Sequence, residues 1–373
     1  MLRRLSFVVA VMSLMVDARA IEVVSKQAYL VDANTGVVLY EKDADTPVPP
    51  SSMSKLMTTY MIFKALEDGR MKLTDQVTIS QKAWKMEGSR MFVKVGSQVS
   101  VEDLLRGVII QSGNDAAVAL AEALMGDESA FAARATQEAH AMGATQTMLQ
   151  NATGLPAEGH VSTMRDLALI ALRTIKDFPQ YYHIYAETEF THNNIRQQNR
   201  NPLLYAGLGA DGLKTGSTDA AGFGVVGSAV QKGRRLIMAI NGAPTKQKRA
   251  DDAKALITWG FSYFASPEIF KAGAEVEKVD VWLGTQTHVP MIVTKDIWAT
   301  LPRHQLGDLK VEVVYNNPVA APITKGQVLG KVLVHIPGKA PQETPLVAGA
   351  SVERAGFFPR IKTALTYLVW GHH

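Results

Sequence analysis

Strand-like segments stand at both ends of one long stretch of this 373-residue sequence, and helix-like segments fill its middle. Tyr29 to Asp32 and Val37 to Glu41 read as two strands about an Asn34-Thr35-Gly36 turn. Far downstream, Phe223 to Val230 and Arg235 to Asn241 form a second such pair about Lys232-Gly233. Between the pairs, Pro47, Pro49 and Pro50 stop the first strands, and Ser51 or Ser52 can open a helix that runs through Leu66 to Asp68-Gly69. Leu104, Leu105, Val108, Ile109, Ala117, Leu120 and Leu124 recur at helical spacing within Val101 to His140, and Asp166 to Ile175 is a further helix. An apolar-striped helix over Asp251 to Phe264 closes the stretch. This order predicts an α+β domain whose two ends supply one sheet.

Past Pro267 the texture changes. Val276 to Leu283, His288 to Thr294, Leu309 to Tyr315, Val328 to His335 and Thr344 to Ala348 are short, rich in β-branched residues and bounded by Gly, Pro or Asn, which predicts a small all-β domain. It holds no constellation of catalytic residues and reads as a spacer or interaction module. The sequence has no cysteine, so disulfides and thiolate metal sites are excluded and the fold relies on burial of its core. At 47% hydrophobic and 20% charged it is ordinary globular material, and no basic block points to nucleic acid.

Three short strings carry the chemistry: Ser52-Met53-Ser54-Lys55, Ser112-Gly113-Asn114 and Lys214-Thr215-Gly216. Ser52 is the only serine followed three places later by lysine, and on a helix that spacing puts the two on one face. Acyl transfer needs a nucleophile, a base, oxyanion donors and an acid for the leaving group. The nine histidines are scattered and none lies near these strings, so a serine-histidine pair is not indicated. A lysine serves as base when burial and a neighbouring cation lower its pKa, which singles out Lys55 with Lys214 as the nearby charge.

The strings are the S-x-x-K, S-x-N and K-T-G elements of active-site serine enzymes, in family order, about 60 and then about 100 residues apart. Pro49 to Tyr60 (PPSSMSKLMTTY), Asn151 to Pro156 (NATGLP), Asp211 to Gly222 (DGLKTGSTDAAG) and Leu256 to Phe261 (LITWGF) extend the match. From about Val24 onward the sequence resembles the D-alanyl-D-alanine carboxypeptidases of the penicillin-binding protein 5/6 type. The resemblance implies an antiparallel sheet flanked by helices, no cofactor and no metal, with peptidoglycan stem peptides as substrate and β-lactams as covalent inhibitors.

It also implies roles. Ser52 is the nucleophile, and its N–H with that of Ser217 holds the oxyanion. Ser112 passes a proton to the leaving D-alanine, and Asn114 holds the substrate amide and orients Lys55. Lys214, the Thr215 hydroxyl and Arg200 capture the terminal carboxylate, with Gly216 completing the element; Arg249 is a weaker candidate, for a supporting salt bridge. Many relatives carry histidine where Ser217 stands. A DD-endopeptidase, a weak β-lactamase and a catalytically idle wall-binding scaffold are the alternatives. Class A β-lactamases carry an acidic residue for deacylation, and Glu87 lacks the surrounding pattern of that residue.

Both ends suggest export. Arg3 and Arg4, the apolar run Phe7 to Val16 and Ala18-Arg19-Ala20 describe a signal peptide over residues 1–20, with about ten apolar residues where a span needs about twenty. The formal charge is +4, of which this segment contributes +2. The expected domains are then catalytic (21–266), all-β stalk (267–353) and a tail (354–373). In the tail Phe357, Phe358, Ile361, Leu365, Leu368 and Val369 recur at helical spacing, with Arg360 and Lys362 largely off that stripe. Pro359 to Trp370 would reach about 18 Å as a helix, too short for a bilayer core of ~30 Å. The expectation is an amphipathic anchor on a membrane surface and a periplasmic enzyme on the outer face of the inner membrane.

Overall fold

A computed structural model describes residues 2–8 and 21–356 of the chain, which divides into two units after Ser262. Of the expected signal peptide only residues 2–8 are described, as a strand of the second unit; the rest of it, its expected processing site and residues 357–373 of the expected tail lie outside the described residues.

In the first unit the two ends meet as the patterning requires. Five antiparallel strands run in the order Val38–Lys42, Gln27–Asp32, Arg234–Ala243, Gly222–Gln231 and Ala210–Thr218. Ala28 pairs with Ile240 and Leu30 with Met238, so the first hairpin docks on the last one. The fifth strand was not legible as a strand. Asp211, Gly212, Lys214, Thr215 and Gly216 break any apolar alternation, yet Gly212 to Gly216 are all buried.

The helix expected from Ser51 or Ser52 starts differently. Ser51–Ser54 is a 3₁₀ turn and the α-helix begins at Lys55, running to Glu67. Neither serine caps it, and Ser51 sits at φ +51°, in the left-handed region. This helix is buried on nearly every side, which suits the middle of a domain. The helical stretch from Val101 is three helices, Val101–Ile109, Asn114–Met125 and Glu128–Ala141. Their first break falls at Ser112-Gly113, with Ser112 at φ +61°. The helix Met164–Asp177 covers the predicted one, started by the Thr163 side chain accepting from the Asp166 N–H. The closing helix spans Lys246–Tyr263, earlier than its apolar stripe suggests, because Thr245 Oγ1 accepts from the Lys248 N–H at 3.1 Å. Met53, Leu56, Met57, Phe63, Leu104, Leu120, Leu167 and Ile237 belong to one core that joins these helices to the sheet.

The second unit is all-β. Its main sheet orders Leu2–Val8, Lys310–Asn316, Val328–His335, Gln342–Ala348, His288–Ile292, Glu275–Trp282 and Val319–Ala320. Five of these strands fall on the segments read from sequence. Leu2–Val8 pairs antiparallel with Lys310–Asn316, Leu5 opposite Val313.

Candidate active site

The 3₁₀ turn explains the first string. With about three residues per turn, residues three apart eclipse one another. Ser52 and Lys55 therefore stack, and Lys55 Nζ lies 3.1 Å from Ser52 Oγ. Ser52 is half-buried, whereas Lys55 is wholly buried.

Two neutral oxygens hold the amine of Lys55: Asn114 Oδ1 at 2.7 Å and the Thr153 carbonyl at 2.5 Å. A neutral amine has two N–H groups and one lone pair. The two carbonyl oxygens can only accept, so they take the N–H groups and leave the lone pair for the Ser52 hydroxyl. Burial, then the Arg200 charge, lowers the Lys55 pKa to about 7, against a smaller opposing pull from Asp115. The sequence reading took Lys214 as the cation beside Lys55; the two amines do repel one another, and Arg200 adds a further charge that lowers the Lys55 pKa. Lys214 is itself driven well below the ordinary lysine range by burial, then by Lys55, Arg200 and Arg249. Its amine donates to the Thr215 carbonyl at 3.0 Å.

Neighbouring loops fix these partners. Asn114 opens its helix, and its amide nitrogen donates to the Glu87 carbonyl at 2.7 Å, which orients Oδ1 towards Lys55. Asp115 accepts from three successive amides, Met91 N at 3.0 Å, Phe92 N at 2.9 Å and Val93 N at 3.2 Å. Glu87 contributes only its carbonyl here, and its side chain is exposed. On the far side, Asn151 Oδ1 accepts from Thr153 N at 3.0 Å and Gly154 N at 2.7 Å, a turn that presents the Thr153 carbonyl. Asp115 and Thr153 were missed from sequence. Asp115 could have been suspected from its place in the first turn of a helix, but a backbone carbonyl leaves no mark in a sequence.

The strand carrying Lys214, Thr215 and Gly216 runs against the nucleophile turn. A methyl group on Gly216 would lie 3.0 Å from both the Met53 nitrogen and the Pro50 carbonyl oxygen, so a side chain there would press the strand away from the turn. That contact brings Ser217, exposed at the strand end, beside Ser52. A cavity of about 470 Å³ is lined by Ser52, Ser89, Ser112, Arg200, Thr215, Gly216, Ser217, Lys246 and Arg249. The lining has three cations and no carboxylate.

Arg200 stands between buried Asn199 and Asn201 and donates to Ser89 Oγ at 2.5 Å, while remaining open to solvent. Arg249 is buried, its pKa lowered to about 10 by burial and by Arg200, and its Nε has no hydrogen-bond partner among the described residues. Lys246 was not singled out in the sequence. Among the described residues no group of three His, Cys, Asp or Glu could hold a metal ion.

The arrangement suits acyl transfer from a substrate that ends in a carboxylate. Residues 14–245 match the D-alanyl-D-alanine carboxypeptidase family of S11 peptidases, and residues 264–354 match the penicillin-binding protein 5 C-terminal domain. The chain belongs to the S11 D-alanyl-D-alanine carboxypeptidase family.

Among its relatives, D-alanyl-D-alanine carboxypeptidase DacA of Escherichia coli is 42% identical over 340 residues, 89% of this chain and 84% of that protein. Penicillin-binding protein 5 of Haemophilus influenzae superposes with a TM-score of 0.80 at 35% identity, covering 91% of this chain and all of the other. Penicillin-binding protein D2 of Listeria monocytogenes, solved in an ampicillin-bound form, superposes with a TM-score of 0.60 at 28% identity, covering 65% of this chain and 100% of that one.

If Lys55 is the base, only its neutral form accepts the serine proton. The rate of acylation by a reporter penicillin is expected to rise through about pH 7 and level off above it, with a midpoint that belongs to the Lys55–Lys214 pair. Stopped-flow acylation across the pH range checks this. A rate that keeps climbing into the ordinary lysine range would show that burial does not tune the base.

Proposed function

We propose that this site removes the terminal D-alanine from peptidoglycan stem pentapeptides through an acyl-enzyme on Ser52. The chain is a serine-type D-alanyl-D-alanine carboxypeptidase. The observation that carries the mechanism is the amine of Lys55, buried, held by two carbonyl oxygens and 3.1 Å from Ser52 Oγ.

The substrate carboxylate enters the cationic cavity and meets Arg200, with Lys214 and the Thr215 hydroxyl beside it. Ser52 Oγ attacks the penultimate carbonyl carbon as its proton passes to the Lys55 lone pair. The carbonyl oxygen gains the charge and is held by the N–H groups of Ser52 and Ser217. When the intermediate collapses, the C–N bond breaks and a proton reaches the leaving nitrogen through the Ser112 hydroxyl. Free D-alanine departs, and water cleaves the ester while Lys55 again takes a proton. A β-lactam follows the same first half, and its ring nitrogen stays tethered to the acyl group.

A labelled penicillin is expected to add one acyl group to the peptide that contains Ser52, and none to a folded Ser52→Ala variant. Peptide mass spectrometry reads this, and a stable adduct on Ser54 or Ser112 would reassign the nucleophile.

Arg200→Ala removes a charge-assisted donor, about 1.5–3 kcal/mol of interaction. Turnover of a D-alanyl-D-alanine peptide is expected to fall roughly tenfold to a hundredfold. A peptide whose C-terminus is an amide should lose much less. Equal losses on both would make Arg200 structural.

The reading extends to location. The basic, apolar start with its small-residue site supports export and removal of residues 1–20. The amphipathic tail supports attachment to the periplasmic face of the inner membrane, with the all-β unit as spacer. Deleting the residues after Gly356 is expected to move active enzyme from the membrane pellet to the soluble fraction. A truncated enzyme that still pellets with membranes would place the anchor elsewhere.

A further inference from the structure

One buried titratable group near the nucleophile takes no part in the mechanism above. His160 is 3% exposed and lies in the segment that follows the Asn151 turn. Its Nδ1 accepts from the Gln150 N–H at 3.1 Å, so in the neutral ring the proton sits on Nε2. That nitrogen lies 2.7 Å from Ser54 Oγ, and the Ser54 hydroxyl in turn donates to the Ser51 carbonyl at 2.7 Å. Each member of this chain therefore has one available direction.

Its end point is the residue before the nucleophile. Ser51 is buried at φ +51°, a region that a serine occupies only when its surroundings hold it there. The same carbonyl is crowded by Gly154, where a methyl group would come within 1.9 Å of the oxygen. Packing thus excludes one side of the Ser51 carbonyl, and the Ser54 hydroxyl binds it.

We propose that His160 is a positioning residue for acylation: its Nε2–H fixes Ser54, and Ser54 fixes the left-handed Ser51 turn that presents Ser52 to Lys55. Burial, then the charge of Lys55, pushes the His160 pKa down to about 4, so the neutral ring and its tautomer persist throughout the working range. The inference rests on Ser52 as nucleophile, a reading tested separately by the adduct on the unmodified enzyme.

The test is acylation of the full chain by a reporter penicillin, normalised to active sites by end-point labelling and resolved into pre-covalent affinity and acylation rate. For His160→Ala the rate is expected to fall about tenfold to a hundredfold, the scale of a misplaced reacting group, with affinity unchanged. His160→Gln, whose amide N–H can donate to Ser54, should recover most of the rate. Ser54→Ala should lose as much as His160→Ala, and the double variant no more than either, because both act through one chain. A wild-type rate in His160→Ala would overturn the proposal, as would a loss confined to affinity, additive losses in the double variant, or no recovery with glutamine. Should His160→Ala leave no labelled sites, the comparison of His160→Gln with Ser54→Ala still decides: a near-normal rate in the first and a reduced rate in the second supports it, and equal rates overturn it.

Discussion

Two lysine side chains kept away from water set the terms for everything around them. Lys55 and Lys214 are buried, and the hydrogen-bond partners of their amines are neutral oxygens. A buried ammonium without a carboxylate partner is costly, so such a group tends to surrender its proton. The scaffold exploits that tendency. A core helix carries one lysine, an internal stretch of strand carries the other, and a helix start and a loop deliver the two oxygens that orient the first without charging it. From the cavity side Arg200 disfavours protonation of both lysines and Arg249 that of Lys214, and their positive potential favours an incoming carboxylate. In the proposed mechanism the same cations serve base and substrate.

Two strained serines accompany this arrangement. Ser51 and Ser112 both lie in the left-handed region, on different elements. One precedes the nucleophile, and the other opens the break between two helices so that its hydroxyl lines the cavity. Backbone held in sparsely populated regions gathers where geometry matters more than local comfort. Nothing in the local sequence marks either position, since serine is not a residue that favours φ above zero.

That contrast explains what could be read in advance. The hairpins and helices of the first unit were legible because half-buried elements stamp their period on apolar residues, and the strings around Ser52, Ser112 and Lys214 were legible because side chains carry their chemistry openly. The fifth strand was not, because all its buried residues except Leu213 are glycine, threonine and lysine, chosen for approach and charge rather than for apolar packing. The Thr153 carbonyl and the Ser54–His160 pair were invisible for another reason. Their contribution depends on where backbone and distant segments meet, and sequence spacing is silent on that. The start of the nucleophile helix was misjudged in kind: the serines there form a 3₁₀ turn instead of a cap, and that tighter winding is what aligns Ser52 with Lys55.

Asp115 fastens Met91, Phe92 and Val93 to the start of the helix that also carries Asn114. The loop that follows cavity-lining Ser89 and the asparagine that orients Lys55 thus share one fastening. Selection acting on the loop can vary exposed Phe92 and Lys94, but it cannot reshape the path, which is held by its main-chain amides and by the buried Met91 and Val93 side chains, without disturbing the asparagine that orients Lys55. Variation is therefore free to accumulate in the loop's outward-facing side chains, and is barred from its trajectory.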